Sequence, residues 1–113
     1  MKALVMSEPG NVKMTELPMP EIKSDEVLVR VRAAGICIND VRDFKGECDY
    51  SYPRIGGHEF AGEIYEIGSE VNKTRFHVGQ RVVTYVVDNC KECYYCKNGF
   101  ENVCPDSLNS ITY

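Results

Sequence analysis

The sequence predicts a mainly β domain with short helices, barrel-like or a sandwich, carrying a metal-bound lobe near its C-terminal end. Three observations lead there. Short runs rich in β-branched residues alternate with glycine and proline punctuation. No long amphipathic helical pattern interrupts them. Four cysteines crowd into Cys90-Lys-Glu-Cys93-Tyr-Tyr-Cys96 and Cys104, the spacing C-x2-C-x2-C-x7-C.

In chain order, Met1–Met6 reads as a first strand and Glu8-Pro-Gly-Asn11 as a turn. Val12–Leu17 is a second strand, ended by Pro18-Met-Pro20 because proline cannot continue a ladder. In Glu26–Ala34, Val27, Val29, Val31 and Ala33 share one face and Arg30 and Arg32 the other, the period of a half-buried strand. Ile38–Phe44 suits a short helix. Phe60–Ile67 reads as a strand interrupted by Gly62, and Gln80–Val87 as a further β-branched strand. The lobe, about 88–106, follows.

The spacing of the lobe suits one tetrahedral zinc ion, with Zn–S near ~2.3 Å, and closed four-thiolate sites are structural. Gly99 and Pro105 fit a tightly turned loop. Disulfides compete, since six cysteines are an even number. The first ten residues contain no long apolar stretch of the secretory kind, so a reducing, cytoplasmic setting is expected, where clustered cysteines favour metal. A redox C-x-x-C pair would use two of the four cysteines and leave two without a purpose. Lys91 and Lys97 would soften the charge of the thiolates.

A chain of 113 residues, 43% hydrophobic and 27% charged, suits one globular domain with a modest core. The net charge of −4 and a pI of about 5.2 argue against nucleic acid and against an anionic membrane surface. The apolar runs are too short to span a bilayer. No G-x-G-x-x-G follows a strand, so no dinucleotide-binding unit is visible in these residues.

A second constellation is Gly57-His58-Glu59-Phe-Ala-Gly62, followed by Gly68 and Val71, with Gly35-Ile-Cys37-Ile-Asn-Asp40 upstream. Cys37 and His58 are donors that zinc accepts, and Asp40 could orient the histidine. Taken singly, a histidine in a glycine-rich loop is more often a structural hydrogen-bonder, and Cys37 a core residue.

Together these segments and the lobe resemble the zinc-dependent medium-chain alcohol dehydrogenases. Tyr52-Pro-Arg-Ile-Gly-Gly-His-Glu-Phe-Ala-Gly62 is most like the polyol and threonine dehydrogenase branch. The resemblance implies a GroES-like, partly open β-barrel with a structural-zinc lobe, residues 1–113 forming the N-terminal part of the catalytic domain. It implies Cys37 and His58 as catalytic-zinc ligands, with Glu59 close to the ion and able to ligate it transiently. Asp40 would hold His58, and Cys90, Cys93, Cys96 and Cys104 would hold a structural zinc. Gly56 or Gly57 would let the backbone approach the metal. The implied activity is oxidation of a secondary alcohol or polyol by hydride transfer to NAD or NADP. The implied assembly is a homo-oligomer.

Two positions depart from the family. Asn39 stands where a Ser or Thr hydroxyl usually passes on the substrate proton, and Arg42 where many members continue the relay with histidine. A guanidinium stays protonated and cannot act as an ordinary base; Arg42 is instead a candidate for a phosphate of cofactor or substrate. Cys48 fits neither cluster and is expected to be free. The Rossmann domain and the remaining zinc ligand are expected outside these residues, so the chain alone should be inactive. A zinc-stabilised binding or scaffold domain is the competing class. It would need only the four-cysteine lobe, so Cys37, His58 and Glu59 favour the enzyme. A zinc-ribbon nucleic-acid binder conflicts with the acidic balance, and zinc-free reductases normally lack both constellations.

Overall fold

The computed structural model describes residues 1–86 and 89–107. Strand β1 (Lys2–Glu8) turns back at Pro9-Gly10 into β2 (Asn11–Glu16). Gly10 takes the left-handed conformation that this tight reversal needs. The hairpin is the expected one, each strand shifted by one or two residues. A two-residue strand, β4 (Arg54–Ile55), pairs with the other edge of β1 through Val5 and Met6, giving a sheet of order β2-β1-β4. No pattern in the sequence marks β4, because two residues are too few to show a period.

The second sheet has the order β3-β5-β6, from β3 (Val27–Ala34), β5 (Phe60–Ile67) and β6 (Arg81–Val83), all antiparallel. The barrel expectation thus takes the form of two open three-stranded sheets among the described residues. Helix α1 (Ile38–Phe44) spans the expected residues. Val87, at the end of the last predicted strand, lies outside the described residues, as do 88 and 108–113. Among the described residues, no helix is long and apolar enough to cross a membrane.

The valine face expected for β3 does not survive intact. Leu28 is buried, Val27 and Val29 are half-buried, and Val31 is 51% exposed. The cause is in the β3–β5 ladder, whose register shifts between Leu28 and Val29 and again between Val31 and Ala33. Tyr65 is the extra residue at the first shift and Arg32 at the second. Each bulge breaks the period-two alternation and turns the following side chains. Arg32 closes an ion pair with Glu63 at 3.0 Å, and Arg30 lies over the Tyr65 ring, 4.7 Å from its centre.

Gly62 does not interrupt β5. It is buried inside a continuous strand, and a Cβ there would collide with the carbonyl oxygen of Arg30 and with Val29. Glycine at this position lets two backbones approach. The core is small: Met6, Leu28 and Ile64 are the buried apolar side chains of the sheets. The radius of gyration, 15.8 Å, exceeds the roughly 13 Å of a compact domain of this length.

Candidate metal centres

The C-terminal lobe is built around its cysteines. Cys93 caps the N-terminus of helix α2 (Tyr94–Lys97), its Sγ accepting the Cys96 N–H at 3.5 Å. Gly99, left-handed, ends the helix. The N–H of Gly99 reaches the Cys96 carbonyl and that of Phe100 the Tyr95 carbonyl, the paired bonds of a Schellman motif. This stop sends the chain into a short 3-10 turn, Glu101–Val103, which delivers Cys104.

The four Sγ atoms converge. Cys90 and Cys96 are 3.9 Å apart, Cys93 and Cys104 3.9 Å, and Cys90 and Cys104 3.6 Å. Four sulfurs at about 2.3 Å around one zinc would stand about 3.8 Å apart. A disulfide needs about 2.0 Å, and all six cysteines are free. The donor set and its spacing therefore fit zinc.

Backbone dipoles reinforce the fit. The N–H groups of Glu92 and Cys93 point at Cys90 and lower its thiol to about 7, toward the thiolate a metal requires. Burial pushes the Cys96 thiol up to about 12, so this thiol would release its proton only to a strong competitor such as a metal ion. Lys91 and Lys97 are exposed; Lys91 adopts a left-handed backbone in the first knuckle.

The second cluster joins two segments. Cys37 sits at the N-cap of α1, in the turn after β3, while His58 and Glu59 lie between β4 and β5. Their ligand atoms all lie within 4.8 Å of one another. Cys37 and His58 are half-buried and Glu59 is exposed. A thiol, an imidazole and a carboxylate form a donor set that zinc accepts while keeping a position open.

Asp40 is brought to this cluster, but its firmest bond is not to the histidine. Its Oδ2 accepts the Cys37 N–H at 2.7 Å, whereas Oδ1 stands 3.8 Å from His58 Nδ1, beyond hydrogen-bond reach. Asp40 holds the cysteine backbone first. Gly57 is left-handed, and neither it nor Gly56 has any atom within 4 Å of where a Cβ would sit. A close contact does occur at Gly35, where a Cβ would meet Glu59 Oε2 at 2.8 Å.

Two groups of residues around the site have no signature in the sequence. Buried Asp43 of α1 accepts the Tyr52 hydroxyl at 2.6 Å and pairs with Arg54 of β4 at 3.3 Å. Arg54 also lies 4.0 Å from the centre of the Tyr50 ring. This cluster ties the helix that begins at Cys37 to the strand that leads to His58. On the other side, Thr84 contacts the backbone of both His58 and Phe60. A cleft of about 540 Å³ opens beside Glu59, lined by Ala33, Phe60, Val83 and Tyr85. Arg42 is exposed, with Nε 3.7 Å from Glu47; Asn39 is exposed, and Cys48 belongs to neither cluster.

The architecture and both clusters have clear relatives. The family model described as the alcohol dehydrogenase GroES-like domain matches residues 23–112. The chain belongs to the alcohol dehydrogenase GroES-like domain family. Within this family it is 43% identical over 110 residues to a sorbitol dehydrogenase of Bacillus subtilis, covering 94% of this chain and 31% of the relative. An alcohol dehydrogenase from E. coli, in complex with NADH, superimposes with a TM-score of 0.77 at 37% identity, covering 96% of this chain and 31% of that one. A zinc-dependent alcohol dehydrogenase from Streptococcus pneumonia gives 0.77 at 33% identity, covering 94% and 30%. The chain thus spans about a third of the length of the GroES-like dehydrogenases it matches.

Proposed function

We propose that these residues form the zinc-bearing, N-terminal part of the catalytic domain of an NAD- or NADP-dependent dehydrogenase acting on a secondary alcohol or polyol. The observation that carries the proposal is the convergence of Cys37, His58 and Glu59 within 4.8 Å, a cluster that a scaffold stabilised by the four-cysteine lobe would not need. The relatives named sorbitol dehydrogenase and alcohol dehydrogenase support the substrate class, and the NADH-bound relative supports the cofactor class.

Cys37, His58 and Glu59 would hold the catalytic ion, and Cys90, Cys93, Cys96 and Cys104 the structural one. A zinc ion at the first site supplies Lewis acidity toward an alcohol oxygen. Asp40 keeps Cys37 in place through its backbone N–H. Neither an amide at Asn39 nor a guanidinium at Arg42 is an ordinary base, so the substrate proton would leave by water or another group. Arg42, exposed on α1, is assigned to a phosphate of the cofactor or substrate. The apolar lining of the cleft beside Glu59 suits the carbon skeleton of the substrate. The nicotinamide-binding Rossmann unit is assigned to residues outside this chain, the working protein to a homo-oligomer, and its setting to the reducing cytoplasm.

The test is zinc per chain by elemental analysis of protein purified without chelator. About two ions are expected in the wild type, one of them lost in Cys93→Ala and the other in His58→Ala. One ion, lost in Cys93→Ala and untouched by His58→Ala, would show that Cys37, His58 and Glu59 hold no metal without the ligand expected outside these residues; no ion in the folded wild type would remove the metal reading altogether.

A further inference from the structure

We infer that Thr84 is a positioning residue for the metal-binding pair His58–Glu59, an inference that rests on the reading of Cys37, His58 and Glu59 as ligands. Thr84 follows the last residue of β6, where the regular ladder with β5 ends. Its side chain takes over there. The Oγ1 hydroxyl donates to the His58 carbonyl at 2.8 Å and accepts the Phe60 N–H at 3.1 Å, while the Thr84 N–H donates to the Phe60 carbonyl at 3.0 Å.

One hydroxyl therefore holds both peptide units that flank Glu59. The second of these units is held from its other end as well, because the Gly35 N–H donates to the Glu59 carbonyl at 2.7 Å. Gly35 lies two residues before Cys37, so this bond also ties the backbone of two ligands to that of the third. The backbone of Glu59 is fixed on both sides, while its side chain is exposed. The direction of the His58 side chain is set by the same carbonyl that Thr84 grips.

Valine has the shape of threonine without the hydroxyl. In Thr84→Val the half-buried site would keep its packing, and the His58 carbonyl and Phe60 N–H would lose their partner. Groups that orient metal ligands through hydrogen bonds are worth about 10- to 100-fold in metal affinity. The Thr84–backbone bonds are expected to fall at the low end, about 10-fold, since they act on the main chain.

The experiment is titration of the metal-free chain with cobalt(II) under reducing conditions. The thiolate charge-transfer and visible ligand-field bands separate a four-thiolate centre from a mixed thiolate–imidazole–carboxylate one. The wild type is expected to bind two equivalents. Thr84→Val should weaken the mixed centre about 10-fold and leave the four-cysteine centre unchanged, with Thr84→Ser restoring wild-type affinity. Equal affinities in wild type and Thr84→Val overturn the inference about Thr84 alone. Weakening of both centres, or of the valine and serine variants alike, overturns it too, because the loss is then one of general stability or packing. A single equivalent of four-thiolate character in the wild type overturns the reading of Cys37, His58 and Glu59 as a metal site of these residues, and this role with it.

Discussion

Gly35 follows the last residue of β3 and Gly62 lies within β5, and each excludes a side chain for a different reason. At Gly62 a Cβ would strike the Arg30 carbonyl oxygen and Val29, groups fixed by the ladder. At Gly35 the nearest atom is the end of the Glu59 side chain, 2.8 Å away and exposed. Gly62→Ala should therefore destabilise the fold by roughly 1–3 kcal/mol, as overpacking does, and Gly35→Ala by about 0.5 kcal/mol or less, as exposed sites do. Urea denaturation of the two variants checks the contrast; equal losses would mean that the carboxylate is as fixed as the backbone. The cysteines and His58 were legible in the sequence because their chemistry and spacing are unusual together. Thr84 was not, since a threonine in a β-rich segment has an ordinary reason to be there.

At the level of elements, α1 and β4 are joined by charge and hydrogen bonds more than by apolar contact. Asp43 accepts the Tyr52 hydroxyl, and this bond first, with burial second, pushes the Tyr52 pKa up to about 12. A phenol that ionises near 10 in the unfolded chain and near 12 in the folded one binds its proton more tightly when folded. Its contribution is complete below pH 10 and is lost as the pH rises from 10 to 12. The urea stability of the wild type should fall across this window more steeply than that of Tyr52→Phe. Parallel curves would show that the tyrosine–aspartate bond is not coupled to folding. Strands β1, β3 and β5 and helix α1 were legible because seven or eight residues suffice to show a period. The alternation in β3 was misleading because two bulges reset it, and bulges depend on the partner strand, which a local pattern does not contain.

At the scale of the molecule, the sheets and the lobe are stabilised by different means. The sheets bury Met6, Leu28 and Ile64, whereas the only buried side chains described in the lobe are Cys96 and Cys104, both candidate ligands. A lobe whose interior is its metal site should unfold when the metal is withdrawn. Chelation under reducing conditions is expected to open Lys91 and Lys97 to trypsin while the β3–β5 region stays protected. Cleavage that begins in the sheets, or a lobe that resists trypsin without metal, would count against this division.

Chain connectivity says something further about how such a molecule assembles. The widest span the lobe must close, from Cys90 to Cys104, is 14 residues, while Thr84 reaches back 26 residues to His58. Loop-closure entropy rises only with the logarithm of length, so this near doubling costs about 0.6 kcal/mol. That is too little to impose an order of events. Free metal concentration governs the lobe alone: the strands, ending at Val83, precede it in the chain and need no metal to pair, while the four cysteines close only around a bound ion.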